Sequence, residues 1–279
     1  MQLRRSLPYV GGVILFLCLT LLFAYLLVPL ESVEGVCVRA AARAGLQLRL
    51  ERLSRTFPPG LSARSAEIYD QRGTLLRVRE LRVRPLLLPL LAGKLVLAGG
   101  GAIGGGEVSS TIIPGDGRLT LEIRSVPLQE LPMLKVAAGA DVKGTLKGGA
   151  EFTRKGNRLS GWVRGEVKQL EVAGASVGGV ALPAATFETV RGLVRVGDAG
   201  GTIESLTFEG SGLYARLSGT LGRAAVPAAV PLDLVLELMP QAAFMESQKL
   251  VFLLLARYTA SPGHYRIPVR GTISGPVVY

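Results

Sequence analysis

Leu213-Tyr-Ala-Arg-Leu-Ser-Gly-Thr-Leu221 and Leu232-Asp-Leu-Val-Leu-Glu-Leu238 decide the fold of this chain. In the first, Leu213, Ala215, Leu217, Gly219 and Leu221 share one parity against Tyr214, Arg216, Ser218 and Thr220. In the second, Leu232, Leu234, Leu236 and Leu238 alternate with Asp233 and Glu237. Successive side chains of a strand point to opposite sides of the pleat, so period two means a sheet with one apolar and one wet face.

The pattern extends outward. Val142, Gly144, Leu146, Gly148, Ala150 and Phe152 share a face against Lys143, Thr145, Lys147 and Glu151. Tyr265, Ile267, Val269 and Ile273 alternate with Arg266, Arg270 and Thr272, and Leu119, Leu121 and Ile123 with Thr120, Glu122 and Arg124. Leu46, Leu48 and Leu50 alternate earlier still. Leu76 and Val78 stand on the opposite parity from Leu81 and Val83. One extra residue near Arg79–Glu80 restores a single face, which predicts a β-bulge there. The chain is therefore mainly β, with a mostly antiparallel sheet.

A soft repeat punctuates the strands: Gly73-Thr-Leu, Gly144-Thr-Leu, Gly201-Thr-Ile, Gly219-Thr-Leu and Gly271-Thr-Ile. Glycine allows a kink where β-branched threonine continues the strand, and such kinks curl a sheet. Phe57-Pro-Pro-Gly60 is a turn. Short helical inserts are expected at Pro85–Lys94, closing on Gly93, and at Val126–Leu134. Gln241–Tyr258 has helical spacing but is too short to span a bilayer, so it packs over the sheet or caps one end.

The N-terminal part differs. From Ser6 to Leu30 there is no charged residue, and Tyr9–Val28 meets the roughly 20 apolar residues that a bilayer requires. The run exceeds the 7–15 apolar residues of a signal peptide, and the residues that follow, Leu27-Val-Pro-Leu-Glu-Ser-Val-Glu34, offer no convincing small-x-small site. It reads as an uncleaved anchor. Arg4, Arg5 and the free amine argue for a cytoplasmic N-terminus, while Arg39 and Arg43 argue more weakly the other way. The expected layout is a cytoplasmic tail over 1–8, an anchor over 9–28, a juxtamembrane amphipathic helix over 29–45 and an extracytoplasmic β-rich domain over 46–279. In a Gram-negative cell that domain lies in the periplasm.

Composition narrows the chemistry. The 279 residues carry a net charge of +11, with 48% hydrophobic but only 6% aromatic residues. The two cysteines, Cys18 and Cys37, form no disulfide framework, and the single histidine, His264, lacks the partners that a metal site or acid–base dyad needs. No nucleophile triad can be assembled, and the carboxylates Asp70, Asp116, Asp141, Asp198 and Asp233 are scattered, mostly at turns. Gly99-Gly-Gly-Ala-Ile-Gly104 matches a dinucleotide fingerprint by letter but lacks the following helix and acidic residue. No catalytic residue, cofactor or metal is expected. Arg77, Arg79, Arg82 and Arg84 come without a nucleic-acid motif or stacking aromatics, so they meet anionic lipid headgroups or are solvated strand faces.

The plan resembles the AsmA-like form of type II secretion system protein N (GspN). The residues concerned are Arg4-Arg5 with one anchor, Phe57-Pro-Pro-Gly60 leading into Leu61–Ile68, Gly73-Thr-Leu-Leu-Arg-Val78, Leu87–Lys94, Gly104-Gly-Gly-Glu-Val108 and Tyr265–Pro276. The resemblance implies an inner-membrane accessory of type II protein secretion, in contact with inner-membrane subunits of that system. It also implies a half-barrel or groove of the kind linked to lipid movement across the envelope. The residues expected to line an apolar groove are Leu213, Leu217, Leu221, Leu232, Leu234 and Leu236. The short inserts are too small to cover every strand, so a curled sheet with an exposed apolar strip is expected, holding acyl chains or a partner's apolar segment.

Overall fold

The computed structural model describes residues 29–43, 45–70, 73–134, 141–174, 176–177, 180–181, 185–224, 229–273 and 275–278. The expected tail (1–8), the expected anchor (9–28) and Cys18 lie outside the described residues. Among the described residues no helix is long and apolar enough to cross a membrane.

Helix α1 (Leu30–Arg43) opens the described chain and ends at Gly45, whose φ of 74° terminates it. Strands β1 (Gln47–Glu51), β2 (Ser54–Thr56), β3 (Gly60–Asp70) and β4 (Gly73–Pro85) follow, then helix α2 (Leu87–Leu91). Strands β5 (Leu97–Ile103), β6 (Gly106–Ile113), β7 (Arg118–Pro127), β8 (Asp141–Lys155) and β9 (Arg158–Ala173) come next. A small ribbon of β10 (Ser176–Val177) and β11 (Val180–Ala181) interrupts the series before β12 (Ala185–Gly197), β13 (Gly200–Glu209), β14 (Leu213–Leu221) and β15 (Pro231–Pro240). Helices α3 (Ala242–Ser247) and α4 (Lys249–Leu254) precede β16 (Thr259–Ser261), β17 (His264–Thr272) and β18 (Gly275–Val278).

One antiparallel sheet runs in the order β1-β3-β4-β5-β6-β7-β8-β9-β12-β13-β14-β15-β17-β16. It is curved and does not close. Nearly every strand pairs with its neighbour in sequence, so the meander needs only short turns. Its margins are short pieces, β1 and β2 against β3, β16 and β18 against β17, which leave little edge for pairing with another chain.

The bulges keep one face apolar. Between β4 and β5, Arg79 pairs Ala102 and Arg82 pairs Gly100, three residues against two, with Glu80 at φ 51°. This is the bulge the parity break demanded. Two more follow the same rule: Ser125 (φ 52°) between Ile123 and Val126 on β7, and Gln169 (φ 53°) on β9. Each extra residue bends its strand and increases its twist. The glycine–threonine signature also falls at kinks: Gly73, Gly144, Gly219 and Gly271 have φ of 137°, 143°, 139° and 102°, and at the fifth copy the kink is at Gly200 (φ 129°), one residue before Gly201. At Gly219 a Cβ would stand 2.3 Å from the Asp233 carbonyl oxygen, so only glycine fits the close approach of β15.

Gly99, Gly100 and Gly101 lie inside β5 rather than in a loop. A Cβ on Gly101 would reach 2.5 Å from Val78, and one on Gly99 would reach 2.6 Å from the Ser110 hydroxyl. The glycines let neighbouring side chains close over this strand. The expected helix over Gln241–Tyr258 is two short helices and a 3-10 turn, Ala256–Tyr258, with a break at Gln248.

Candidate functional site: the inner face of the sheet

Register partners in an antiparallel ladder share a face, so the pairing fixes rows of side chains across the sheet. One row joins Leu119, Phe152, Gly161, Val196, Gly201, Leu221 and Leu232. The next holds Leu121, Ala150, Val163, Val194, Ile203, Gly219 and Leu234, and the third Ile123, Gly148, Gly165, Gly192, Leu206, Leu217, Leu236 and Ile267. A fourth joins Val126, Leu146, Val167, Val190, Phe208, Ala215, Leu238 and Tyr265. All four rows are apolar. Ala150, Ile203, Ala215, Leu234 and Ile267 on this face are buried. A few short helices cannot account for that burial, so the sheet curls about this face, which is the inner one.

The two ends of this face differ. Where β7 ends, the 3-10 turn Leu128–Glu130 folds Leu128 and Leu131 back onto Ile103, Val126, Leu170 and Val190, and Val126 is 1% exposed. Helices α3 and α4 leave β15 at this same end; Phe252 packs on Phe244 and Tyr265 with ring centroids 6.0 and 5.3 Å apart. This is the capped end. Seven residues away along β7, about 23 Å, the face is open: Ile112 is 41% exposed, Leu119 36% and Leu159 43%. The mouth is also where the Phe57–Pro59 turn and α2 stand, with Phe57 92% and Leu88 82% exposed.

All six leucines expected to line a groove lie on this face. Leu217 pairs Leu236 and Leu221 pairs Leu232; Leu234, opposite Gly219, is the one of the six that is buried. Leu213 sits at the capped end opposite Pro240 and belongs to the closure rather than to the open strip. The most exposed part of the strip, Ile112, Leu159 and Val163, was missing from the sequence expectation. Its signal is the run Leu159, Gly161, Val163, Gly165, Val167, whose parity then breaks at Gln169.

The outer face is polar. From β7 onward its charges are largely matched across strands: Arg191 lies 3.5 Å from Glu166 and 3.4 Å from Glu209, Arg118 3.5 Å from Glu151 and Arg270 3.3 Å from Asp233. Such exposed pairs contribute about 0–1 kcal/mol each. The single tryptophan, Trp162, leans over Gly149 and carries Arg164 5.6 Å from its ring centroid, which covers a strand position without a side chain. On β3 and β4 the balance is different. Glu67, buried between its register partners Arg49 and Arg77, pairs with Arg77 and accepts a hydrogen bond from the Tyr69 hydroxyl. The Tyr69 hydrogen bond, with Arg77 adding to it and burial opposing, holds the Glu67 carboxyl below its ordinary range. The same bond raises the Tyr69 phenol.

His264 is half-buried on β17, and its Nε2 and the Tyr258 hydroxyl are enclosed without hydrogen-bond partners. Among the described residues no three of His, Cys, Asp and Glu come together as a metal set. Searches against models of known families, curated proteins and solved structures give no match for this chain.

Proposed function

We propose that this chain is a non-catalytic component of a Gram-negative cell envelope, held in the inner membrane by segment 9–28 with its sheet in the periplasm, and that the inner face of the sheet binds lipid acyl chains. The observation that supports this reading is the gradient of exposure on one apolar face, sealed at one end and open at the other. The strip between them runs about 23 Å, against about 15 Å for one leaflet of a bilayer core roughly 30 Å thick. An acyl chain can therefore lie along the strands, covered by the curl of the sheet and entering at the mouth. The driving force is burial of apolar surface, roughly 25 cal/mol per Å². The test is native mass spectrometry of the full chain extracted from membranes in mild detergent. Retained phospholipid is expected; a lipid-free folded chain contradicts the reading.

A second reading, a structural accessory of type II secretion, is favoured by a different observation. Phe57 and α2 expose large apolar side chains at the mouth, within the segments that carry the resemblance to protein N. Such a patch suits a protein partner. Cross-linking from position 88 in cells is expected to capture an inner-membrane subunit of that machine; capture of none counts against this reading.

A further inference from the structure

Helix α4 turns three leucines away from the protein. Leu250, Leu253 and Leu254 are 78%, 72% and 78% exposed, and their i, i+3, i+4 spacing puts them on one side of the helix. On the opposite side Phe252 is buried against Phe244 and Tyr265, so the orientation of the helix is fixed by its own packing. Lys249 and Arg257 bracket the leucines. Basic residues flanking an outward apolar face are the profile of a segment lying in a membrane interface, where long cationic side chains reach the headgroups while the apolar side chains enter the acyl region.

The topology says where this face stands. Helix α3 leaves β15 at the capped end of the sheet, and α1 enters β1 at that same end, because Gln47 pairs Tyr69 near the close of β3. The uncharged stretch 6–30 runs into α1, whose Arg39 and Arg43 add positive charge there. The exposed apolar residues at the mouth, Phe57 and Leu88, are a strand length away, about 33 Å for ten residues.

We infer that α4 rests on the bilayer that carries the anchor, with Leu250, Leu253 and Leu254 in its acyl region, so that the sheet stands capped end down and opens away from that membrane. The inference deepens the proposed function and rests on its anchor. A chain held at α1 alone pivots freely; a second contact at the other margin of the sheet fixes its tilt and directs the mouth into the periplasm.

The test places an indole at each end of the sheet, in the full chain with a Trp162→Phe background, reconstituted in vesicles of phosphatidylethanolamine and phosphatidylglycerol. Leu253→Trp is expected to give blue-shifted emission that acyl-brominated phospholipids quench on the order of twofold, and Leu88→Trp emission that they leave unchanged. Circular dichroism confirms that both variants are folded. Alkaline extraction of the same vesicles separates the two ways of failing. A chain that resists extraction while L253W is unquenched overturns the inference and leaves the anchor standing. A chain released by alkali overturns the anchor, and the inference with it. Quenching of L88W but not L253W puts the mouth on the membrane and contradicts the orientation.

Discussion

Leu217 of β14 and Leu236 of β15 are register partners on the inner face, and both are half-buried. Whether that pair lines a groove or a core is decided by what a charge does there. Leu217→Arg is expected to leave the sheet folded, because the guanidinium can extend along the open strip to water. The same variant loses bound lipid. Val126→Arg, at the capped end, has no such exit and is expected to cost more than about 3 kcal/mol. Thermal melts with native mass spectrometry check both; a Leu217→Arg melt as poor as that of Val126→Arg contradicts a groove.

The Glu67–Tyr69–Arg77 cluster sets a pH window. A carboxyl whose folded pKa is lowered stabilises the fold above its unfolded value, about 4.3, and that stability is lost as pH falls through the folded value. Tyr69, raised in the folded state, contributes below about 10 and loses its contribution as pH rises through the folded value. Glu67→Gln is therefore expected to melt below wild type at pH 7, with the difference closing under acid conditions. A difference constant down to low pH would show that packing, not charge, is responsible.

Gly219→Ala meets both a φ of 139° and the Asp233 carbonyl. A destabilisation of roughly 2–3 kcal/mol is expected. Gly100→Ala, at an ordinary φ with its nearest neighbour 3.7 Å away, is expected to be neutral within about 0.5 kcal/mol. Urea titration distinguishes them, and equal effects would deny the kink its role in the curl.

Much of this was legible because the physics was local. Alternation in β14 and β15 fixes which residues share a face, and the parity break at Arg79–Glu80 marks the bulge between β4 and β5. The glycine–threonine pairs marked kinks for the same reason: only glycine takes those angles cheaply. Helix α2 closed on Gly93 where the apolar run ended. What was not legible depended on neighbours far along the chain. β5 hides its period in glycines whose reason is Val78 and Ser110. β9 reads as two short patterns until Gln169 is known to be an extra residue. Glu67 looks like one more surface carboxylate until Arg49 and Arg77 flank it. The exposure gradient needs all the strands at once, since it follows from where the Leu128–Leu131 turn and α3–α4 close the sheet.

Photo-cross-linking at two adjacent residues tests the central claim most directly. Leu119 faces the inner side beside Ile112 and Phe152, and Thr120 faces outward beside Thr111 and Glu151. Benzoylphenylalanine placed at each position of the full chain in living cells, followed by mass spectrometry of the purified protein, reports what each face touches. Lipid adducts at 119 and none at 120 are the predicted result. Equal labelling at both positions, or lipid at neither with 119 joined to another part of the chain, would contradict a lipid-holding inner face.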